Sequence, residues 1–242
     1  MSKILSYALA ILTIAAFVAI VILRQATDFT LDPFAPYQSL ITDGILNTIY
    51  VSIISLLGSL VLGFVLYLLS ISRFKYFVAL DDVFTEIIYG TPLLVLIVVS
   101  AFVIGPAFGT YNRNLMGTIA IIIYMTPYMK NVYKSAFSSI TGEQYMAMDL
   151  FGFTPFQRYR YIIIPQVIRI LMPPMMNNFS LIIKGSALLN VLAYGELYYA
   201  IRVAQSKTFA FVEGYILMWA LYLLITIPLS QLTKYIERRW AL

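Results

Sequence analysis

Residues 141–165 read TGEQYMAMDLFGFTPFQRYRYIIIP, and this polar stretch lies between long apolar runs. Thr141, followed three positions later by Gln144, is the pattern of a capping box that starts a helix. Gly152 then supplies a residue that readily adopts positive φ, at which helices commonly stop. The stretch therefore predicts a short helix that ends at Gly152.

A second start signal follows at Thr154. Pro155 takes the first helical position, where a missing N–H costs nothing, and Gln157 takes the position that can bond back to the cap. We expect a bent helical pair that protrudes from one membrane face and offers a rigid surface to a soluble partner; an ordinary helical loop is the alternative. The pair is too polar to lie in lipid because it carries Glu143, Asp149, Arg158 and Arg160.

The composition is that of an integral membrane protein. Hydrophobic residues make up 61% of the chain and charged residues 11%, with a mean hydropathy of +0.87, whereas soluble domains have roughly 25% charged residues. The chain lacks cysteine and histidine, which removes the usual thiol nucleophile, general base and metal ligands. The sequence has no phosphate-binding loop and no basic cluster for nucleic acid. We therefore expect no metal, cofactor or nucleic acid on this chain.

Six apolar runs are long enough to cross a bilayer, which takes about 20 helical residues. The predicted fold is an all-α membrane protein with about six transmembrane helices. The first run exceeds a signal-peptide core and is predicted to be a retained anchor; a cleaved signal, which would leave five spans, is the alternative. The runs are 4–23, 45–70, 87–108, 115–137, about 171–195 and about 210–233.

The distribution of cations predicts the orientation of these spans. Cytoplasmic loops carry the excess of lysine and arginine, so both termini and residues 138–166 are predicted to be cytoplasmic. Outside lie only Arg24, Arg113, Arg202 and Lys207. On or near the inner side lie Lys3, Arg73, Lys75, Lys130, Lys134, Arg158, Arg160, Arg169, Lys234, Arg238 and Arg239.

Prolines within the spans are expected to interrupt helices and free carbonyl groups that lipid cannot satisfy. Such faces would turn toward protein or a water-filled path, although kinks that only shape packing are the alternative. The prolines concerned are Pro92, Pro127, Pro165, Pro173, Pro174 and Pro228.

Asn177, Asn178 and Lys184 are polar residues within the fifth run. A helix that restarts at the Pro173–Pro174 break would put Lys184 near mid-bilayer, where a cation costs at least about 2.5 kcal/mol and must face a cavity or partner. A helix that begins near Tyr161 would instead place Lys184 at the outer interface as an anchor. Asn177 and Lys184, seven residues apart, share one face of the helix.

Two further groups of polar residues are weaker candidates. Thr91 and Glu86 lie close to Gly90 at the start of the third run, where they form a possible site or simply mark the inner interface. Asp81 and Asp82 are interpreted as a solvated loop pair, since no histidine or cysteine accompanies them for catalysis.

Together these residues resemble the permease subunits of binding-protein-dependent ABC importers for polar amino acids, over about residues 41–239. The Gly-Thr-Pro-Leu-Leu segment of that family is 90–94 here, and its cytosolic loop pattern, with spacing to glycine and proline, is matched by 144–152 and 159–166. Pro173-Pro174, Asn178, Lys184, 195–197 and 237–239 follow at similar intervals.

The resemblance implies roles for particular residues. The loop would form coupling helices on an ATP-binding subunit, through Gln144, Tyr145, Met146, Ala147, Asp149, Gly152, Phe153, Thr154 and Pro165. The substrate pathway would include Thr91, Asn177, Asn178, Lys184, Ser186 and Glu196. Two departures change expected contacts: Met146 replaces the family's glutamate, and residues 185–187 are Gly-Ser-Ala where a carboxylate-containing run is usual.

The expected function is that of a permease in the bacterial inner membrane, taking up a polar amino acid. Its expected partners are a second permease chain, identical or homologous, two ATPase subunits that hold Mg-ATP, and an extracytoplasmic binding protein. Residues 1–30 would form the anchor and the start of an external segment, 31–242 the permease domain and 138–166 its coupling segment. An ion-coupled secondary transporter is the main alternative, although it would need an internal repeat and an ion relay; a membrane enzyme is the other.

Overall fold

The computed structural model describes residues 3–25 and 29–240, and every regular element in these ranges is helical. The predicted all-α fold is confirmed. The α-helices are α1 Lys3–Gln25, α2 Gln38–Ser70, α3 Lys75–Gly90, α4 Leu93–Val99, α5 Gly105–Ala107, α6 Arg113–Ser138, α7 Gly142–Leu150, α8 Pro155–Gln157, α9 Ile164–Ser186, α10 Leu197–Thr208 and α11 Phe211–Trp240. Short 3₁₀ helices cover Asp32–Tyr37 and Ala187–Leu192, and π-helical turns cover Ser100–Ile104 and Arg158–Ile163.

Among the described residues, three helical stretches are long and apolar enough to cross a membrane: Leu5–Arg24, Asp32–Ser70 and Phe211–Arg239. A fourth candidate is the pair Lys75–Gly90 and Leu93–Ala107, whose axes are bent by 105°. Helices α6 and α9, of 26 and 23 residues, also have the length of a span. The predicted count of about six agrees with these helices but stays a prediction.

The predicted interruption of the third run at Pro92 is confirmed, since Pro92 stands between α3 and α4. Thr91 and Pro92 have extended backbones, because the residue before a proline avoids the α region and the ring cannot continue the hydrogen-bond ladder. The chain therefore turns sharply between α3 and α4. Asp81 and Asp82 lie within α3, so their interpretation as a solvated loop pair is wrong.

The predicted helix break at Pro173 and Pro174 does not occur, since both lie inside α9. Packing of α9 against α2, α6 and α11 offsets the backbone hydrogen bonds that the prolines remove. Pro127 and Pro228 likewise lie inside α6 and α11. Of the six prolines expected to interrupt helices, Pro92 alone stands at a break between two helices of the described ranges.

Helices α2 and α6 form the centre of the bundle. A Cβ atom at Gly63 would lie 2.5 Å from the Cβ of Met129, so only glycine allows this close approach. The main core surrounds the contact and includes Val51, Ile97, Ala120, Ile121, Met125, Met129, Ile182 and Leu189.

A buried ion pair joins α3 to α6. The Lys130 ammonium lies 2.7 Å from Asp81 Oδ1 and donates to Thr85 Oγ1 at 2.8 Å, while the Thr85 hydroxyl donates to Asp81 Oδ1 at 3.2 Å. Lys130 is 6% exposed and Asp81 2%. Lys130 was counted among the inner-face cations when the orientation was predicted, but here it neutralises a carboxylate inside the bundle.

Glu196 caps the start of α10 and is fully buried. Its carboxylate accepts the backbone N–H groups of Tyr198 and Tyr199, both at 2.8 Å, and the Tyr222 hydroxyl at 2.9 Å. Burial raises the pKa of Glu196 to about 7, although these three donors oppose the rise. The residue ties α10 to α11.

Candidate functional site

The predicted helix stop at Gly152 is confirmed. Gly152 has φ +68°, and its N–H donates to Asp149 O at 3.0 Å. The N–H of Phe153 donates to Met148 O at 3.0 Å. These two bonds form a Schellman motif, which fixes the direction in which the chain leaves α7.

The second start signal is also confirmed, although the helix that follows is not short. Thr154 Oγ1 accepts the N–H of Gln157 at 3.4 Å, and the Gln157 side chain accepts the N–H of Thr154 at 2.9 Å. Helix α8 continues through the π-helical turn into α9. The helix therefore runs from Pro155 to Ser186, and Pro165 directly follows the π-helical turn, a local adjustment that can satisfy the backbone groups that a proline frees.

Side-chain contacts that the sequence did not predict hold α7 against the continuous helix. Thr141 accepts the N–H of Gln144 as expected, but the Gln144 amide donates to Gln166 Oε1 at 3.3 Å and does not close the capping box. Arg158 forms an ion pair with Asp149. Two bonds thus link α7 to the helix that carries the candidate pathway residues.

The outer surface of residues 138–166 is more apolar than the polar island that we predicted. Leu150 is 88% exposed, Phe151 81% and Phe156 72%, and none of the three was predicted as a contact residue. Their position beside Gly152 and the helix start at Thr154 was the signal that could have indicated their exposure. Beneath them, a small core fixes the segment: Ala136, Ile140, Met148, Ile163 and Val167. Large exposed apolar side chains on a rigid frame are typical of a protein interface.

A groove of about 400 Å³ lies between α9 and α11. Its lining residues are Asn177, Ser180, Leu181 and Lys184 of α9, and Thr226, Ile227, Ser230 and Thr233 of α11. The predicted shared face of Asn177 and Lys184 is confirmed. Lys184 is exposed in the groove and, among the residues that the structure describes, has no ion-pair or hydrogen-bond partner.

The structure bears on the premises of the two predicted positions of Lys184, whose depth in the membrane stays a prediction. The helix does not restart before Lys184, so the premise of the first alternative is wrong. Nevertheless, Lys184 lines the groove beside Thr226 and Ser230, which lie near the middle of α11, not at its end. The continuous helix from Pro155 to Ser186 fits the premise of the second alternative, in which the helix begins near Tyr161.

The remaining candidate pathway residues lie elsewhere. The Asn178 amide faces Met129 Sδ at 3.7 Å, the buried Ser186 hydroxyl donates to Ile183 O at 2.8 Å, and the Thr91 hydroxyl donates to Ile87 O at 2.7 Å. Glu196 lies against Tyr222, as described above. The structure therefore brings together only Asn177 and Lys184 from the predicted set.

The α11 side of the groove was not predicted from the sequence. Thr226, Ser230 and Thr233 occupy positions i, i+4 and i+7, which place them on one helical face. This spacing was the available signal, although within an apolar run it also fits an ordinary span. The groove thus combines one cation, one amide and several hydroxyl groups on two facing helices.

Comparison with known proteins supports this description. Residues 59–242 match the family described as "Binding-protein-dependent transport system inner membrane component". The chain belongs to this family. It is therefore a multi-pass permease of the inner membrane, and such permeases are transmembrane subunits without catalytic activity of their own that work with an ATPase and a binding protein.

Two permeases that are named for glutamine are similar to the chain over most of its length. The probable glutamine ABC transporter permease protein GlnM of Bacillus subtilis (strain 168) is 33% identical over 208 residues, which cover 86% of this chain and 94% of that protein. The glutamine transport system permease protein GlnP of Escherichia coli (strain K12) is 28% identical, with 84% and 94% covered.

Solved structures show the same permease fold. A chain of a crystal structure described as an amino acid ABC transporter with histidines superposes with a TM-score of 0.78 and 26% identity, covering 87% of this chain and 99% of that one. A chain of the MetNI methionine ABC transporter in an inward-facing conformation gives 0.63 at 17% identity, covering 84% and 98%. The second likeness concerns the fold alone.

Proposed function

We propose that this permease is the membrane-spanning subunit of an ATP-driven importer that takes up a polar amino acid delivered by an extracytoplasmic binding protein. One observation carries the proposal: a single helix runs from Pro155, beside the exposed apolar surface, to Ser186, past the groove. At 1.5 Å per residue this helix is about 48 Å long. A displacement imposed at its cytosolic end moves the wall of the groove.

The docking surface for the ATPase is residues 138–166, with Leu150, Phe151 and Phe156 as the apolar contacts. Met146, which replaces the glutamate of similar permeases, is 60% exposed and adds a further apolar contact. Closure of the ATPase pair on Mg-ATP would carry α7 with it. The rigid link through Gln144 and Arg158 would then rock α9 and alternate access to the groove.

The cargo is a polar amino acid. The Lys184 ammonium is free to receive a carboxylate, and charge-assisted hydrogen bonds of this kind are among the stronger ones in proteins. Asn177 and the hydroxyl groups of Thr226 and Ser230 offer donors and acceptors for the remaining polar atoms. The relatives named as glutamine permeases support this class of cargo.

The assembly that we propose contains a second permease chain, identical or homologous, and two ATPase subunits that hold the nucleotide. Both termini face the cytoplasm, which places residues 138–166 on the ATPase side. Residues 1–30 form an anchor outside the permease domain 31–242; within 1–30, residues 1, 2 and 26–28 lie outside the described residues.

A pair of glycine variants tests the proposal. Gly152→Val introduces a β-branched residue at φ +68°, where nothing lies within 4 Å of the added Cβ, so its effect is local strain of about 1–3 kcal/mol. Gly109→Val introduces the same strain at φ +74°, also in open space, but in the turn before α6. We expect ATP-dependent uptake of glutamine in proteoliposomes to fall at least about tenfold for Gly152→Val only.

Equal losses in the two variants would contradict coupling through this segment. The assay contains the permease, its ATPase and its binding protein, and a parallel sample contains the permease alone under an ion gradient. Uptake in that sample would overturn the ATP-driven function in favour of a secondary transporter.

A further inference from the structure

A second pocket, of about 440 Å³, lies where the C-terminal ends of α2 and α6 meet the start of α7 and the π-helical turn after α8. We call it the inner aromatic pocket. It is lined by Phe64, Tyr67, Leu68, Ile71, Lys134, Phe137, Ser138, Tyr145 and Tyr159. The groove between α9 and α11 shares none of these residues.

Aromatic stacking makes one wall of this pocket rigid. The rings of Tyr67 and Phe137 stack with centroids 5.2 Å apart and an interplanar angle of 11°. Phe64 meets Tyr133 edge to face at 5.2 Å. Because these contacts join α2 to α6, the wall stays fixed relative to the bundle.

The pocket is rich in unused hydrogen-bond donors. Within the described part of the chain, the ammonium of Lys134 and the hydroxyl groups of Tyr67, Tyr145 and Tyr159 have no hydrogen-bond or ion-pair partner. Burial and the neighbouring Tyr159 raise the pKa of the Tyr145 phenol, so it keeps its proton. The lining contains no carboxylate, which makes the pocket suited to an anion.

The distribution of polar and apolar atoms identifies the class of anion. Lys134, Tyr145 and Tyr159 offer charge and donors at the side near the coupling segment, whereas Phe64 and Leu68 give an apolar wall along α2. Both Phe64 (38% exposed) and Leu68 (47% exposed) line the pocket and are accessible. Tyrosine and lysine with apolar neighbours are typical of the interface between lipid and water.

We propose that the inner aromatic pocket binds an anionic phospholipid, with its phosphate on Lys134, Tyr145 and Tyr159 and an acyl chain along Phe64 and Leu68. The location in the inner leaflet rests on the orientation given under the proposed function. A cationic occupant is disfavoured by Lys134. A bound lipid would connect α2 to α7 and so brace the coupling segment against the bundle.

Lipid retention by the purified permease–ATPase complex tests this proposal. The complex is released from nanodiscs that contain equal amounts of phosphatidylglycerol and phosphatidylcholine, and the retained lipids are counted by native mass spectrometry. We expect preferential retention of phosphatidylglycerol. Lys134→Gln should lower that retention about threefold to tenfold, whereas Lys75→Gln, which removes the same charge outside the pocket, should not.

Tyr159→Phe keeps the ring and removes only the donor, so it tests the phosphate contact in a chain whose packing is unchanged. It should lower phosphatidylglycerol retention about twofold to fivefold with an unaltered thermal unfolding midpoint. Equal retention by wild type, Lys134→Gln and Tyr159→Phe would overturn the proposal.

Two further outcomes would assign the pocket to another occupant and also overturn the proposal. Displacement of phosphatidylglycerol by millimolar inorganic phosphate would show that the pocket recognises free phosphate. Weaker co-elution of the ATPase from Lys134→Gln, with lipid retention unchanged, would show a protein contact. Because retention is read without transport, a failure of the importer function leaves this result interpretable.

Discussion

Lys130 and Lys184 both lie in long helices of the bundle, but their surroundings are opposite. Lys130 is 6% exposed and is held by Asp81 and Thr85. Lys184 is exposed in a polar groove and, in the ranges 3–25 and 29–240, forms no ion pair or hydrogen bond. The charge of Lys130 is already used within the fold, whereas that of Lys184 is available to a ligand.

The comparison teaches how to separate structural from functional charges in a membrane protein. A cation away from water must be neutralised, and a partner from the same chain makes it part of the architecture. A cation whose partner is missing from its own chain, in an open cavity, is a candidate for binding. Burial and partners therefore discriminate where residue type does not.

Replacing Lys130 should have the largest effect. Lys130→Met leaves the Asp81 carboxylate buried and unpaired, so we expect a loss of about 3–5 kcal/mol in the free energy of unfolding. Thermal unfolding in detergent measures the change. The double variant Lys130→Met with Asp81→Leu should regain most of the stability, because two apolar side chains can replace a buried ion pair. If the double variant is as unstable as Lys130→Met, the prediction that an apolar pair can replace this ion pair is wrong.

Glu196 extends the comparison to a buried carboxylate that has only neutral donors. Its pKa is raised from 4.5 to about 7, so the folded state holds a proton that the unfolded state releases between these values. Stability is therefore full below pH 4.5 and falls as the pH rises to 7, by about 3 kcal/mol at most. Unfolding midpoints from pH 4 to 8 measure this fall. Glu196→Gln should flatten the curve, and an unchanged slope would assign it to other groups.

Replacing Lys184 should change transport and leave the fold intact. Lys184→Met removes a charge-assisted hydrogen bond to the cargo, worth about 1.5–3 kcal/mol, so the KM for uptake should rise roughly tenfold to a hundredfold. The free energy of unfolding should stay within about 0.5 kcal/mol of wild type. Lys184→Arg keeps the charge and should retain most of the uptake. An unaltered KM in Lys184→Met would show that the lysine binds no cargo.

The smallest effect is expected on the α11 side of the groove. Ser230→Ala removes one neutral hydrogen-bonding group, worth about 0.5–1.5 kcal/mol, so the KM should rise roughly twofold to tenfold. Ser206→Ala is the matched control, because this exposed hydroxyl bonds only to Val203 O at 2.7 Å. If both variants take up glutamine like wild type, Ser230 does not contact the cargo.

The local signals in the sequence proved the most reliable. The helix stop at Gly152, the cap at Thr154 and the shared face of Asn177 and Lys184 each depend on a few neighbouring residues and on fixed helical geometry. The same reasoning failed at Pro173 and Pro174, where packing against three other helices compensates for the missing hydrogen bonds. Among the predicted prolines, Pro92 is the one that separates two helices, α3 and α4.

Contacts between distant residues could not be read from the chain. Asp81 and Lys130 are 49 positions apart, and Gln144 meets Gln166 only because the segment bends at Gly152. The α11 hydroxyl groups became part of the groove because α11 packs beside α9. Their spacing in the sequence indicates a polar face of α11, but it does not show that this face lies opposite α9.

The sequence by itself determined that this protein is a helical membrane protein with a polar segment that bends at Gly152, because hydrophobicity, caps and glycine stops act over a few residues. Only the tertiary structure decided which lysine is neutralised and which remains available. That decision depends on distances between helices far apart in the chain, and the free energy of a buried charge is set by those distances.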